Sequence, residues 1–239
     1  MALADVPPRA QPADRTVGRA WARAAIVLAI VAIALFAAGA VLGFAAVGRT
    51  GGGPVQGWDN TVWRWATAHH GPFVGAAKIV ATVGDAVALG VICVVLTGAL
   101  AGWLRSPRAL VLVVAYFGAE FEVFAIRQVI HRPRPAFADF ASHHAVHGVH
   151  ETSFSYPSGH ATAVTAVLFA GLATVAFTRG RNWPWLLAVV VSIAAADTRL
   201  ILGVHWFSDV AVGLLIGIAW GMTVALVAQR VEWSDYLLG

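Results

Sequence analysis

Three short clusters carry the residue types that could do chemistry. The first is Arg127-Gln128-Val129-Ile130-His131-Arg132-Pro133-Arg134-Pro135 and the second is Tyr156-Pro157-Ser158-Gly159-His160; the third runs from Thr198-Arg199 through His205 to Asp209. Arginine's planar fork of donors matches phosphate oxygens two at a time, so Arg127, Arg134 and Arg199 together call for a shared anion. Ser158 is a preferred N-cap type, and Gly159 lets the backbone approach a ligand closely. The free amides of a helix starting there form an anion site of their own. His205 and Asp209 stand four apart, one helical turn, so the carboxylate can fix the ring's tautomer and make its far nitrogen more basic. His160 has no such partner within its motif. The asymmetry assigns His205 as a nucleophile that takes up a phosphoryl group. His160 is then the acid that protonates the leaving oxygen and later activates a water to hydrolyse the phosphohistidine.

In order and spacing these residues resemble the type 2 phosphatidic acid phosphatase family, whose pattern is Lys-x6-Arg-Pro, Pro-Ser-Gly-His and Ser-Arg-x5-His-x3-Asp. The resemblance covers about Pro72 to Ala228. Two positions depart from it: Arg127 stands where the family has lysine, and Thr198 where it has serine. Arginine keeps the charge but is larger and forked; threonine keeps the hydroxyl. The resemblance implies that Arg127, Arg134 and Arg199 bind phosphate, helped by the Ser158 hydroxyl and the Gly159 amide. It makes His205 the phosphorylated nucleophile, Asp209 its orienting carboxylate and His160 the general acid. It also implies catalysis without a metal or other cofactor, the arginines supplying the countercharge, and a lipid phosphate as substrate. Undecaprenyl diphosphate is the first candidate, since carrier recycling requires its dephosphorylation at the outer membrane face; phosphatidate and phosphatidylglycerol phosphate follow.

The elements that must hold these residues are membrane helices. The chain has 239 residues, 59% of them hydrophobic and 12% charged, with a mean hydropathy of +0.75. A soluble domain carries about 25% charge, so this composition points to lipid as the solvent. A spanning helix needs about 20 apolar residues. Six segments qualify: Trp21–Val47, Asp85–Leu104, Ala109–Val129, His160–Thr178, Trp185–Ile201 and Ser208–Ala228. Their continuous rather than alternating apolarity excludes a spanning barrel. The expected fold is therefore an all-α integral membrane bundle of six transmembrane helices. After the first span comes a short interfacial region marked by Trp58, Trp63 and Trp65, with a second short helix near Val74–Thr82. The domain is expected over residues 21–230, between a disordered N-terminal tail (1–20) and a C-terminal tail (231–239). The first apolar run is longer than the core of a signal peptide.

Arg15, Arg19 and Arg23, then Arg105 with Arg108, Arg179 with Arg181, and finally Arg230 all fall on one side of a six-span chain. The positive-inside rule makes that side cytoplasmic, with both termini, and turns all three clusters outward in a bacterial plasma membrane. No basic helix or aromatic-basic platform suggests nucleic acid. The single cysteine, Cys93, allows no intrachain disulfide. Arg132 is expected at the periphery, because only Arg134 stands seven residues after a basic side chain. His131, His143, His144, His147 and His150, with Asp139 and Glu151, read as a solvated loop rather than a zinc motif. Glu120 and Glu122 are costly inside a span and are expected to be structural, Glu120 pairing with a polar group inside the bundle; Asp85 is expected to cap the second span. The alternatives are an arginine-lined anion transporter, which needs charges near mid-membrane, and an inactive scaffold, against which the intact motifs argue. A vanadate-dependent haloperoxidase shares the motif logic but belongs to soluble chains.

Overall fold

The computed structural model describes residues 12–69, 71–104, 107–135, 149 and 151–236. Among them are eight α-helices and no strand. They are α1 (Pro12–Leu42, continued by a wider turn over Gly43–Val47), α2 (Gln56–His69), α3 (Val74–Val83), α4 (Ala86–Leu104), α5 (Val111–Arg127), α6 (Gly159–Arg179), α7 (Trp183–Ile201) and α8 (Phe207–Tyr236). Helix α1 from Gly18, and α5 to α8, are each long and apolar enough to cross a membrane. The α3–α4 pair, bent by 54°, is long and apolar enough only when taken together, as a broken span or a re-entrant loop, which makes five or six spans among the described residues. At the bend Asp85 Oδ1 accepts the Val87 N–H at 3.0 Å, the capping role its position predicts.

Large apolar side chains stand exposed in helical stripes: Ile26, Ile30 and Ile33 on α1, Val87, Val91 and Val95 on α4, Leu186, Val190 and Ile193 on α7. In water such stripes would be an aggregation surface; in hydrocarbon they are the solvated face. The chain is a multi-pass membrane protein.

Two expected boundaries move. A tail is expected over 1–20, yet the chain is helical from Pro12; residues 1–11 lie outside the described ones. A second tail is expected over 231–239, yet α8 continues through Val231 to Tyr236, and 237–239 lie outside. A formed helix extends at one hydrogen bond per added residue, and Ala20, Ala22 and Arg23 are good helix formers.

The packing that sets the reactive end is the α6–α8 pair. Gly213, Gly217 and Gly221 form a seam with four-residue spacing. A Cβ at Gly217 would fall 2.6 Å from the Thr162 carbonyl oxygen, and one at Gly213 2.9 Å from that of Ser158. Small residues at this spacing let two membrane helices touch backbone to backbone. The start of α6, with Ser158 and His160, is thereby pressed against the start of α8, with His205 and Asp209 just before and within it. The Tyr156 hydroxyl donates to the Gly39 carbonyl at 2.9 Å, tying the same loop to α1.

The polar segments meet over that end. The His131 N–H donates to the Arg49 carbonyl at 2.8 Å. Trp63 Nε1, on α2, donates to the Gly203 carbonyl at 3.0 Å. The Ser208 N–H donates to Asp59 Oδ1 at 2.9 Å.

Candidate active site

Arg127, Arg134, Gly159, His160, Arg199 and His205 line one cavity of about 180 Å³. Ser158 and Asp209 are fully buried beside it. Residues spread over 83 positions of sequence, from Arg127 to Asp209 (209 − 127 + 1), are thus gathered at one end of the bundle. Each has a local reason to be there. Helix α5 ends at Arg127, six residues before Pro133, and Pro133 and Pro135 stiffen the exit that carries Arg134. Ser158 caps α6, its Oγ accepting the Ala161 N–H at 3.4 Å. Arg199 lies in the last turn of α7.

His205 is almost wholly buried, and both ring nitrogens are engaged. Nδ1 faces Asp209 Oδ2 at 3.4 Å, and Nε2 faces Arg134 Nη1 at 2.9 Å. Burial first, and then the charges of Arg134, Arg199 and Arg127, hold this imidazole well below its ordinary pKa. The ring is neutral, so the Asp209 contact is a hydrogen bond from Nδ1–H, and the Nε2 lone pair is left toward the guanidinium and the cavity. Asp209 is itself held: Oδ2 accepts the Trp206 N–H at 3.0 Å and the Ser155 hydroxyl.

Arg134 is anchored on three sides. Nε donates to the Ser153 carbonyl at 2.8 Å, Nη2 to Ser153 Oγ at 3.0 Å, and Nη1 to the Val204 carbonyl at 3.0 Å. Burial lowers its pKa to about 10, with Glu151 opposing the shift, so it stays charged at neutral pH. Arg127 uses its fork on Ser153 Oγ at 3.2 Å and the Pro157 carbonyl at 3.1 Å. A lysine has no such fork to divide between two acceptors. Glu151 bridges the remaining pair, 3.4 Å from Arg134 Nη2 and bonded to Arg199 Nη2. Its carboxylate takes the place between two guanidiniums that suits an anion's oxygens.

His160 is nine-tenths buried, and its Nε2 has no hydrogen-bond partner among the described residues. Its ring lies on Gly84 at the α3–α4 bend, so closely that a Cβ there would collide with Cε1 and Nε2. Asp85 and Glu120 line the same cavity. Glu120 thus lines the cavity, with Arg127 of the same helix as its foremost charge neighbour. Glu122 is buried, and neither of its oxygens has a partner among the described residues.

Arg132 is not peripheral. It is fully buried, with Nη1 donating to Asp209 Oδ1 at 2.7 Å and Ser208 Oγ at 2.8 Å. Its Nη2 donates to Asp59 Oδ2 at 2.5 Å and Gln56 Oε1 at 2.9 Å, and the guanidinium stacks over Trp206, 5.2 Å from the ring centroid. Residues two apart on an extended segment share a face, so alternation does not account for the separate destinations of Arg132 and Arg134. Nothing near Asp59 in sequence marks it as the second carboxylate of this hub. The residues Asp139, His143, His144, His147 and His150 lie outside the described ones. His131 packs on Phe154 with ring centroids 4.6 Å apart. Among the described residues no three His, Cys, Asp or Glu side chains gather as a metal-binding group.

The chain is similar to known proteins in sequence and in fold. The PAP2 superfamily model matches residues 108–233. The chain is 38% identical over 66 residues to the undecaprenyl-diphosphatase of Sulfolobus acidocaldarius, a match covering 28% of this chain and 30% of that one. It is 33% identical over 136 residues to the decaprenylphosphoryl-5-phosphoribose phosphatase of Mycobacterium tuberculosis, covering 57% of this chain and 70% of that one. The crystal structure of a transmembrane PAP2-type phosphatidylglycerolphosphate phosphatase from Bacillus subtilis superposes with a TM-score of 0.62 at 20% identity, covering 87% of this chain and 95% of that one.

Proposed function

The chain belongs to the PAP2 superfamily, and from that premise we infer that it is a metal-independent phosphatase of lipid-linked phosphates, working through a phosphohistidine on His205. The observation that carries this reading is the pairing of a neutral, buried His205 with Asp209 behind it and a guanidinium-lined cavity before it.

A phosphate entering the cavity would take the fork nitrogens of Arg127, Arg134 and Arg199, displacing the Glu151 carboxylate, with the Gly159 amide beside it. The Ser158 hydroxyl serves by capping the helix that presents that amide. His205 Nε2 then forms the N–P bond while the P–O bond to the leaving group breaks, and His160 delivers the proton that oxygen needs. Charge developing on the transferring oxygens meets donors already in place, which is where most of the acceleration would arise. In the second half a water gives its proton to His160, attacks phosphorus and releases phosphate from His205. Asp209 keeps the ring's tautomer through both halves.

The substrate candidates are undecaprenyl diphosphate, phosphatidate and phosphatidylglycerol phosphate. A cavity opening beside the bent α3–α4 pair lets the phosphate enter while a lipid tail stays in hydrocarbon. The loop arginines support an orientation with this end outward and both termini in the cytoplasm of a bacterial cell. A cysteine introduced at Thr50 should then react with an impermeant thiol reagent added outside, and one at Arg179 should not; the reverse pattern would invert the orientation.

The direct test is phosphate release in detergent with EDTA from these three lipids, wild type against His205→Ala. Release that resists EDTA and vanishes in the variant is expected. No release from any lipid phosphate would sink the enzyme reading, and activity retained by the variant would sink the nucleophile alone.

A further inference from the structure

The lining of the cavity is mixed in charge. It carries Arg127, Arg134 and Arg199, and also Asp85 and Glu120, with Asp85 next to Gly84, against which His160 lies. The two carboxylates stand within electrostatic reach of each other, and Asp85 within reach of His160. Glu120 lies seven residues before Arg127 on α5, about two turns or roughly 10 Å along the same helix face. Once an entering phosphate displaces Glu151, Asp85 and Glu120 remain as the acidic groups of the lining.

His160 fixes which part of the lining meets which part of a substrate. The oxygen that leaves phosphorus must lie against the acid that protonates it, and the unpartnered Nε2 of His160 lies at the Gly84–Asp85 bend. Whatever follows the leaving oxygen therefore passes Asp85 and Glu120. In a diphosphate the next atom is a phosphorus carrying anionic oxygens, brought beside an exposed acid, Asp85, and a half-buried one, Glu120. Like charges so placed repel and disfavour that substrate. In a glycerol or sugar phosphate the next atoms carry hydroxyls, for which carboxylates are acceptors.

We propose that Asp85 and Glu120 are specificity-determining residues that select, as substrate, a lipid-linked polyol phosphomonoester over a lipid diphosphate. The proposal rests on His160 being the leaving-group acid and so deepens the phosphatase reading. Phosphatidylglycerol phosphate and a polyprenyl-phosphoryl ribose phosphate share the required chemistry, a phosphomonoester on a hydroxylated carbon chain. Phosphatidate shares the phosphomonoester but offers no free hydroxyl.

The experiment compares kcat/KM of the wild-type protein in one detergent for four substrates: those three and undecaprenyl diphosphate. Both polyol substrates are expected to exceed the diphosphate by about tenfold or more, with phosphatidate between them. The size of the gap between the glycerol and ribose substrates tells which polyol fits. Glu120→Gln and Asp85→Asn are then expected to narrow the polyol-to-diphosphate ratio by roughly tenfold each. A wild-type preference for the diphosphate would overturn the proposal without any variant, and so would a ratio unmoved in both folded variants. Phosphatidate turned over as fast as the polyol substrates would overturn the hydroxyl contact. No release from any of the four would instead overturn the phosphatase reading.

Discussion

Arg134 Nη1 lies 2.9 Å from His205 Nε2, the ring nitrogen on the far side from Asp209. A guanidinium can only donate, so the lone pair it meets is the one that would attack phosphorus. The arginine that covers this nitrogen is also one that would bind an incoming phosphate, so substrate arrival would exchange one acceptor of Arg134 for another.

Arg134→Ala should therefore lower kcat/KM by about 10²- to 10³-fold, the scale on which a single charge-stabilising donor acts. Arg134→Lys should recover only part of the loss, because one ammonium cannot span the Ser153 carbonyl, Ser153 Oγ and Val204 carbonyl together. Steady-state kinetics on any accepted lipid phosphate decides it; full rescue by lysine would mean that only the charge matters.

The depressed pKa of His205 gives a pH dependence with a definite sign. A histidine in an unfolded chain titrates near 6.5, and burial with three guanidiniums holds this one well below that. As pH falls through about 6.5 the unfolded chain takes up a proton that the folded ring refuses, so stability drops there, by at most about 1.4 kcal/mol per pH unit for one proton. Above that window both states are neutral and the effect is absent. Thermal midpoints in detergent from pH 8 to 5 should fall more steeply for wild type than for His205→Gln, and parallel curves would refute the assignment.

Arg132 bears on stability more than any exposed arginine. It is fully buried between two carboxylates, Asp59 of α2 and Asp209 of α8, so removing it leaves two buried negative charges facing each other. Breaking one partner out of such a pair costs about 3–5 kcal/mol. Arg132→Gln should lower the thermal midpoint sharply, and Arg64→Gln, on the exposed face of α2, should leave it within error. Asp59→Asn should behave like Arg132→Gln, since it unbalances the same hub.

The sequence made the helices and the candidate site residues legible for different reasons. Apolar runs of about 20 residues can satisfy their backbone in lipid only as helices, so α1 and α5 to α8 follow from composition alone. His205 and Asp209 are one turn apart, and proximity along a helix is readable. Arg132 was misplaced because its partners are 73 and 77 residues away, on helices whose contact depends on the glycine seam of α8 and the lie of α2. Spacing carries no record of such contacts. Asp59 is the sharper case, an acid in an interfacial helix with nothing local to distinguish it from a solvated one. The 54° bend at Gly84–Asp85 was equally hidden, since a glycine before an aspartate reads as an ordinary helix boundary.

That bend yields the most localised prediction. Gly84 has φ −88°, a conformation any residue adopts, so alanine there brings no backbone strain. Its only effect is steric: the added Cβ would occupy the place of the His160 imidazole edge. The ring must turn away, carrying Nε2 off the leaving-group position. A displacement of about 1 Å at a catalytic group can cost roughly 10²-fold in rate. Gly84→Ala should thus cut kcat by about that factor while the thermal midpoint and KM change little, because the arginines that hold phosphate are untouched. Gly75→Ala, nine residues earlier on α3 with nothing within 4 Å of the new methyl, is the matched control and should retain activity. The rate defect should shrink for substrates whose leaving oxygen is already a weak base, since those need less help from an acid. A Gly84→Ala enzyme that turns over all substrates at the wild-type rate would remove His160 from the leaving-group side of the site.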